Sequence, residues 1–406
     1  DVYKRQGVQV QALAMTKTSL DKHSLLAVAL VLAALPLLWA IYAVPIWWVS
    51  LTAPNYPPES FPDGVRIHVH MNGVFNGCQK IEKTEIQEDE ALDCVHEMDT
   101  INHYVGMYPI AAGGVIERAF SPFLMSMLGV MLVGFAVPGP KIRMVVMALG
   151  FAGIFAWMYL YYFGDGGLKY QNEGYLSALV TSMDQGGGDE AAAGSRVMST
   201  GEALIARLKA EMAEAGGESP AAPVERKAPG EKERLIGNLR ETFERSEERK
   251  RVTEREAWDG SGAQMLGWHY EKSLGRYFNN PAEIVPMAGK MTIAGQVVFW
   301  ALPLAMALLV WGARKNSGIL YWMLILVPIA LPVFFIIDYS AWLWWYGHSL
   351  NEMGAFTVKP FMPTVFGDGK VAQFTTHSYP YTGFGLMAAM SAVLAVALFL
   401  RRREAD

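Results

Sequence analysis

Cysteine is nearly absent from this chain, with two in 406 residues. That excludes a disulfide-dense scaffold and a four-cysteine zinc module, and leaves at most one bridge or one thiolate site. Charge is scarce as well, at 18%, against roughly 25% in a soluble globular chain. A net charge of −5 offers no basic surface for nucleic acid, so no nucleic-acid partner is expected. No Ser-His-Asp spacing, phosphate loop, dinucleotide fingerprint, His-Glu-x-x-His or Cys-x-x-Cys-His haem attachment is present. Length alone would allow two or three soluble domains. Against the shortages stand 52% apolar residues and 12% aromatics, and they are unevenly spread.

Six windows, 25–48, 119–140, 144–164, 291–313, 316–337 and 371–400, contain no Asp, Glu, Lys or Arg. Each holds about 20 mainly apolar residues, the length a helix needs to cross roughly 30 Å of hydrocarbon. Backbone groups in lipid must bond within their own segment, so helices are the expected form. The chain therefore reads as an all-α membrane protein with six transmembrane helices, at 25–49, 119–140, 143–164, 291–313, 316–337 and 383–400. Trp47 and Trp48, Tyr159, Tyr161 and Tyr162, and Trp342, Trp344 and Trp345 stand at window ends, as an interfacial aromatic belt would.

The short basic segments set the expected orientation. Lys17 and Lys22, Lys141 and Arg143, Arg314 and Lys315, and Arg401 to Arg403 all fall on one side, which the positive-inside rule makes cytoplasmic. Both termini are then cytoplasmic, and 50–118, 165–290 and 338–382 face the periplasm of a bacterial inner membrane. Residues before Met15 read as an extraneous leader, and the first apolar run reads as a retained anchor.

Region 50–118 is expected to be a small, partly β outer domain. After a Pro-rich opening, Val65, Ile67 and Val69 alternate with Arg66, His68 and His70, the period of a half-buried strand. Region 165–290 carries an insert at 184–257. It contains a Gly/Ala-rich acidic run at 185–194, a capping-box helix opening at Ser199 and a linker at 220–229. Between Glu231 and Glu256 sixteen residues are charged, eight of each sign. That pattern predicts a solvated helix held by i,i+4 pairs, without a buried face. Region 338–382 is expected to be irregular and pressed on the bilayer face.

Six of eight histidines, His68, His70, His96, His103, His348 and His377, lie in the first and third outer regions with both cysteines. Imidazole, thiolate and thioether, here also Met107, are the donor set copper prefers. Cys78 and Cys94 have two readings. In an oxidising compartment, cysteines sixteen apart pair into a bridge worth roughly 3 kcal/mol; otherwise they serve as thiolate ligands. Asp338, at the outer end of the fifth window, is either a proton-handling group or an interfacial cap.

The run Asn102-His103-Tyr104-Val105-Gly106-Met107 resembles the Asn-His-Tyr-Ile-Gly-Met signature of small multi-pass bacterial membrane proteins encoded in nitrous-oxide reductase gene clusters. Asp338, Trp342, Tyr346-Gly347-His348 and Leu350, then Val358, Pro360 and Ser378-Tyr379-Pro380, are similar to that family's second block. The resemblance covers the first three and last two spans, and the insert at 184–257 departs from it. His68, His70, Cys78, Cys94 and His96 lie outside the signature, which moves the weight to His103, Met107 and His348. The resemblance implies a non-enzymatic accessory protein of a periplasmic copper enzyme, such as nitrous-oxide reductase, that handles copper or scaffolds maturation. Two other classes are a metal-free structural subunit of a respiratory membrane complex and an integral-membrane oxidoreductase.

Overall fold

The charge-free stretches fold as helices, since an apolar segment in lipid satisfies its backbone only within itself. The computed structural model describes residues 22–79, 92–184, 230–371 and 373–403. The leader, most of the acidic stretch between the cysteines, the run at 185–194, the helix expected from Ser199 and the linker at 220–229 lie outside the described residues. The apolar helices are α1 (Lys22–Ala43), α3 (Val115–Ala136), α4 (Pro140–Phe163), α8 (Pro281–Gly312) and α11 (Thr382–Arg403). Among the described residues, five helices are thus long and apolar enough to cross a membrane. A sixth is added if the bent pair α9 (Ile319–Ile329) and α10 (Leu331–His348) counts as one span.

Helices α1 and α11 form the tightest pair. Ala27, Val31, Ala34 and Leu38 are buried on one, and Met387, Met390, Leu394 and Ala397 on the other. Spacings of three and four place each set on one face, and small residues let the backbones approach where lipid supplies no hydrophobic drive.

One end of the bundle is tied by Arg143, which is fully buried. Its guanidinium donates to Val137 O at 2.9 Å, Pro138 O at 3.3 Å and Asn316 Oδ1 at 3.0 Å, and lies 4.6 Å from the Tyr321 ring. Arg401 stacks over Phe135 nearby. The basic turns at 141–143 and 314–315 and the basic tail therefore share one end.

A five-stranded antiparallel sheet caps the other end, in the order β3 (Gly73–Asn76), β2 (Val65–His70), β1 (Trp47–Thr52), β5 (Phe374–Pro380) and β4 (Gly367–Val371). The expected alternation in β2 holds from Val65 to His68, with Val65 and Ile67 buried and Arg66 and His68 partly exposed, and lapses at Val69 and His70, which are both half-buried. The centre and far half of the sheet differ from expectation. Trp47 and Trp48 open β1 rather than ending a span, because α1 stops at Ala43. Region 338–382 is not irregular: β5 pairs with β1 in the register Trp47↔Pro380 to Thr52↔Thr375. The beginning of the apolar window 371–400, up to Pro380, is accordingly strand. Trp47 fixes this join, donating from Nε1 to Ser378 Oγ at 2.8 Å while its ring meets Phe335, Tyr339 and Phe384.

Three further corrections concern the helices. Helix α8 starts at Pro281, not 291, and its 32 residues reach about 48 Å at 1.5 Å per residue. That exceeds the hydrocarbon thickness, so its first turns stand among the sheet-end elements. The fifth window is broken rather than continuous, with α9 and α10 bent by 66°. Pro328 in the last turn of α9 and Pro332 at the start of α10 remove the amide donors that would carry one helix through. The charged helix α6 (Glu231–Glu248) is not solvated all round. Leu239, Phe243 and Glu247 are buried against α5 (Glu173–Asp184) and α7 (Gly262–Gly275).

Candidate functional site

Helix α2 (Cys94–Tyr104) lies beside β2 and carries the first three residues of the Asn-His-Tyr run. Asp93 caps it, accepting from Val95 N and His96 N, where helix amides have no other partner. Cys94 begins the helix and is joined to Cys78 by a disulfide with Cα atoms 6.0 Å apart. The disulfide holds α2 to the sheet edge, with Cys94, Met98, Leu51, Val65 and Ile67 forming a small core.

The run ends in a turn that requires glycine. Gly106 has φ of +85°, and a Cβ there would stand 2.6 Å from Asn351 O. The amide of Asn351 donates to Gly106 O at 2.8 Å, and that of Phe356 to Tyr104 O at 3.0 Å. Tyr346 reaches across 237 residues of chain to donate to Pro109 O and Ile110 O. Asn351 Nδ2 donates to Glu283 Oε2 at 3.1 Å, tying in the first turn of α8. The two sequence blocks that carry the resemblance thus meet as a clasp of backbone bonds.

Beneath the clasp lies a buried ion pair absent from the sequence reading. Arg276 Nη1 stands 3.5 Å from Asp99 Oδ2, with side chains 3% and 0% exposed. Ile110 N donates to Asp99 Oδ1 at 2.7 Å. Burial pushes the Asp99 carboxyl up to about 7, outweighing this amide and the guanidinium. Helix α2 carries several polar residues besides Asp99, among them His96, Glu97 and Asn102, so no local signal marked Asp99 as the buried one.

The candidate histidines do not assemble into one centre. The His103 ring packs against Tyr277 at 4.8 Å and Phe278 at 5.4 Å. His348 is exposed, stacked on Trp344 at 4.5 Å, with Nδ1 2.8 Å from Trp344 O. His68 stacks on Tyr381, His70 meets the edge of Phe75, and His96 is exposed on α2. His377 pairs with Asp368 at 2.7 Å. Met107 is buried in the main core. Among the described residues no group of three His, Cys, Asp or Glu is placed to hold a metal ion, and the disulfide removes both thiolates. His103, Met107 and His348 thus stand in separate surroundings.

A cavity of about 390 Å³ lies between the sheet, α3 and α10, within the size range of small-molecule sites. The broken span makes it: α9 packs on α3, and α10 then bends away. At the sheet end it is lined by His70, Asn102, Glu117, Asp338 and Trp342; deeper, by Leu124, Met125, Leu128, Leu331 and Phe335. Trp342 Nε1 donates to Glu117 Oε1 at 3.3 Å across the gap. The other oxygen, Glu117 Oε2, is buried with no hydrogen-bond partner among the described residues. Arg118 is turned to backbone, donating to the carbonyls of Ala111, Gly113 and Gly114. Burial, and secondarily the positive charge of Arg66 at His68 and of His68 at His70, pulls both imidazoles down, His70 to about 4. Both are neutral at pH 7.

Comparison with protein-family models, curated proteins and solved structures finds no match for this chain.

Proposed function

We propose that the chain is a six-span protein of a bacterial inner membrane, with termini and basic turns in the cytoplasm and the sheet in the periplasm. There it acts as a non-enzymatic accessory protein of a periplasmic copper enzyme, nitrous-oxide reductase in the context the resemblance implies. The carrying observation is the clasp between Tyr104–Gly106 and Tyr346–Phe356. The two blocks of the resemblance form one structural unit, which is what a shared architecture requires. Orientation has independent support from two kinds of chemistry. Basic residues gather at one end, and the disulfide lies at the other, where an oxidising compartment would keep it.

In this reading copper belongs to the enzyme served and is not resident in this chain, consistent with the separate surroundings of His103, Met107 and His348. The test pairs two measurements in a denitrifying host. Deleting the gene is expected to lower copper loading of periplasmic nitrous-oxide reductase, while the purified full chain carries no stoichiometric copper. A fully loaded reductase in the deletion strain overturns the accessory role. Stoichiometric copper lost on His103→Ala and His348→Ala would replace the scaffold version with a copper-binding one. Reporter fusions at 137–139 and 314–318 are expected to read cytoplasmic; a periplasmic reading inverts the orientation.

A further inference from the structure

The cavity between the sheet, α3 and α10 has a graded lining. Its carboxylates, Glu117 and Asp338, stand near the sheet, and the wall becomes wholly apolar toward Leu128 and Leu331. From Glu117 to Leu128 along α3 is about 16 Å at 1.5 Å per residue, close to the length of a dodecyl chain. Leu124, on this wall, is 36% exposed, and Asp338 is exposed as well, so the trench is open rather than sealed.

The charges at its head are unbalanced. Glu117 Oε2 is a buried oxygen without a donor, and Asp338 makes no hydrogen bond or ion pair among the described residues. The neighbouring cation, Arg118, also lines the cavity, but its Nε and Nη2 are turned to three backbone carbonyls. Two carboxylates facing one apolar space repel each other, and a buried acceptor left unmade is costly. A cation with several N–H donors relieves both.

We propose that this cavity binds a single-chain amphiphile with an ammonium head. The head sits between Glu117 and Asp338, and the chain runs down the trench past Leu124 and Met125 toward Leu128. Trp342 holds one Glu117 oxygen through its indole N–H, leaving the other aimed at the head. The bend at Ala330 sets the width of the trench, because a continuous fifth helix would close α10 onto α3. This site requires membrane residence but not the accessory role, and its test does not involve copper or the reductase.

The test uses the full chain in phosphatidylcholine nanodiscs, with labelled dodecylammonium as probe and empty nanodiscs as the partition control. The expected result is saturable binding displaced by unlabelled dodecylammonium. Dodecanol and dodecanoate should compete on the order of tenfold less well, the scale of one charge-assisted hydrogen bond. The isosteric double variant Glu117→Gln, Asp338→Asn should lose that preference, since Gln keeps the acceptor for Trp342 and removes only charge. Octylammonium should bind more weakly than dodecylammonium. If the double variant does not fold, the head-group ranking on the unaltered chain still decides. Absence of saturable binding, equal or better binding of dodecanol or dodecanoate, or a folded variant with undiminished preference overturns the proposal.

Discussion

Gly106 shows how one residue can carry two constraints at once. Its φ of +85° favours glycine, and the Asn351 carbonyl occupies the space of any Cβ. Gly106→Ala is expected to cost about 2–4 kcal/mol, combining left-handed strain with a clash against backbone that cannot rotate away. The check is a melting curve in detergent, where loss below about 1 kcal/mol would refute the clasp as a stabilising contact. His70 makes the pH prediction. Its pKa is depressed to about 4 from 6.5, so between those values the unfolded chain takes up the proton and the folded chain does not. Its contribution is fully present above pH 6.5 and is lost as pH falls toward 4. After discounting for partial exposure it amounts to about 1–2 kcal/mol. Comparing stability against pH for the native chain and His70→Gln isolates it from Asp99, whose raised pKa acts in the opposite sense. Identical slopes would remove His70 from the account. Neither residue's role was readable in sequence: the motif marked Gly106 only as a member of a run, and its partner is 245 positions away, from 106 to 351.

At the scale of elements, α6 is the instructive case. Its eight-and-eight charge pattern over 231–256 reads as a solvated helix, and Arg240–Glu244 and Arg245–Glu241 do pair on its exposed side. Counting charges hid a stripe at i, i+4 and i+8: Leu239, Phe243 and Glu247. Phe243 meets the edges of Trp258 at 5.4 Å and Trp268 at 5.3 Å, and Glu247 binds Lys250 at 2.9 Å. Phe243→Ala is expected to cost about 3 kcal/mol of local docking energy. The readout is limited proteolysis between 230 and 260, which should accelerate while the membrane core resists; unchanged cleavage would mean α6 is not anchored there. The broken fifth span has a sequence cause that was visible, Pro328 and Pro332. A charge-free window does not report whether a helix continues through it, so the bend was missed.

At the scale of the molecule, a bundle with one basic end carries a sheet on the other, and a single covalent tie secures the sheet's edge helix. Opening Cys78–Cys94, with its separation of sixteen, is expected to remove roughly 3 kcal/mol from the sheet-end layer. The bundle, which holds neither cysteine, should keep its helicity. A Cys78→Ser, Cys94→Ser variant should therefore lose sheet-end protection in hydrogen exchange while far-ultraviolet dichroism stays near native; loss of both together would show that the two layers fold as one. The sequence by itself determined the apolar helices, the basic turns between them and the alternation of β2. Each depends on the local balance between lipid, water and backbone, which a short window of residues sets. Only the tertiary structure decided that Trp47–Thr52 is the central strand, that its partner is Phe374–Pro380, and that the bend at Ala330 opens a cavity over Glu117 and Asp338. Strand pairing and cavity walls join residues hundreds of positions apart, so no local pattern records them.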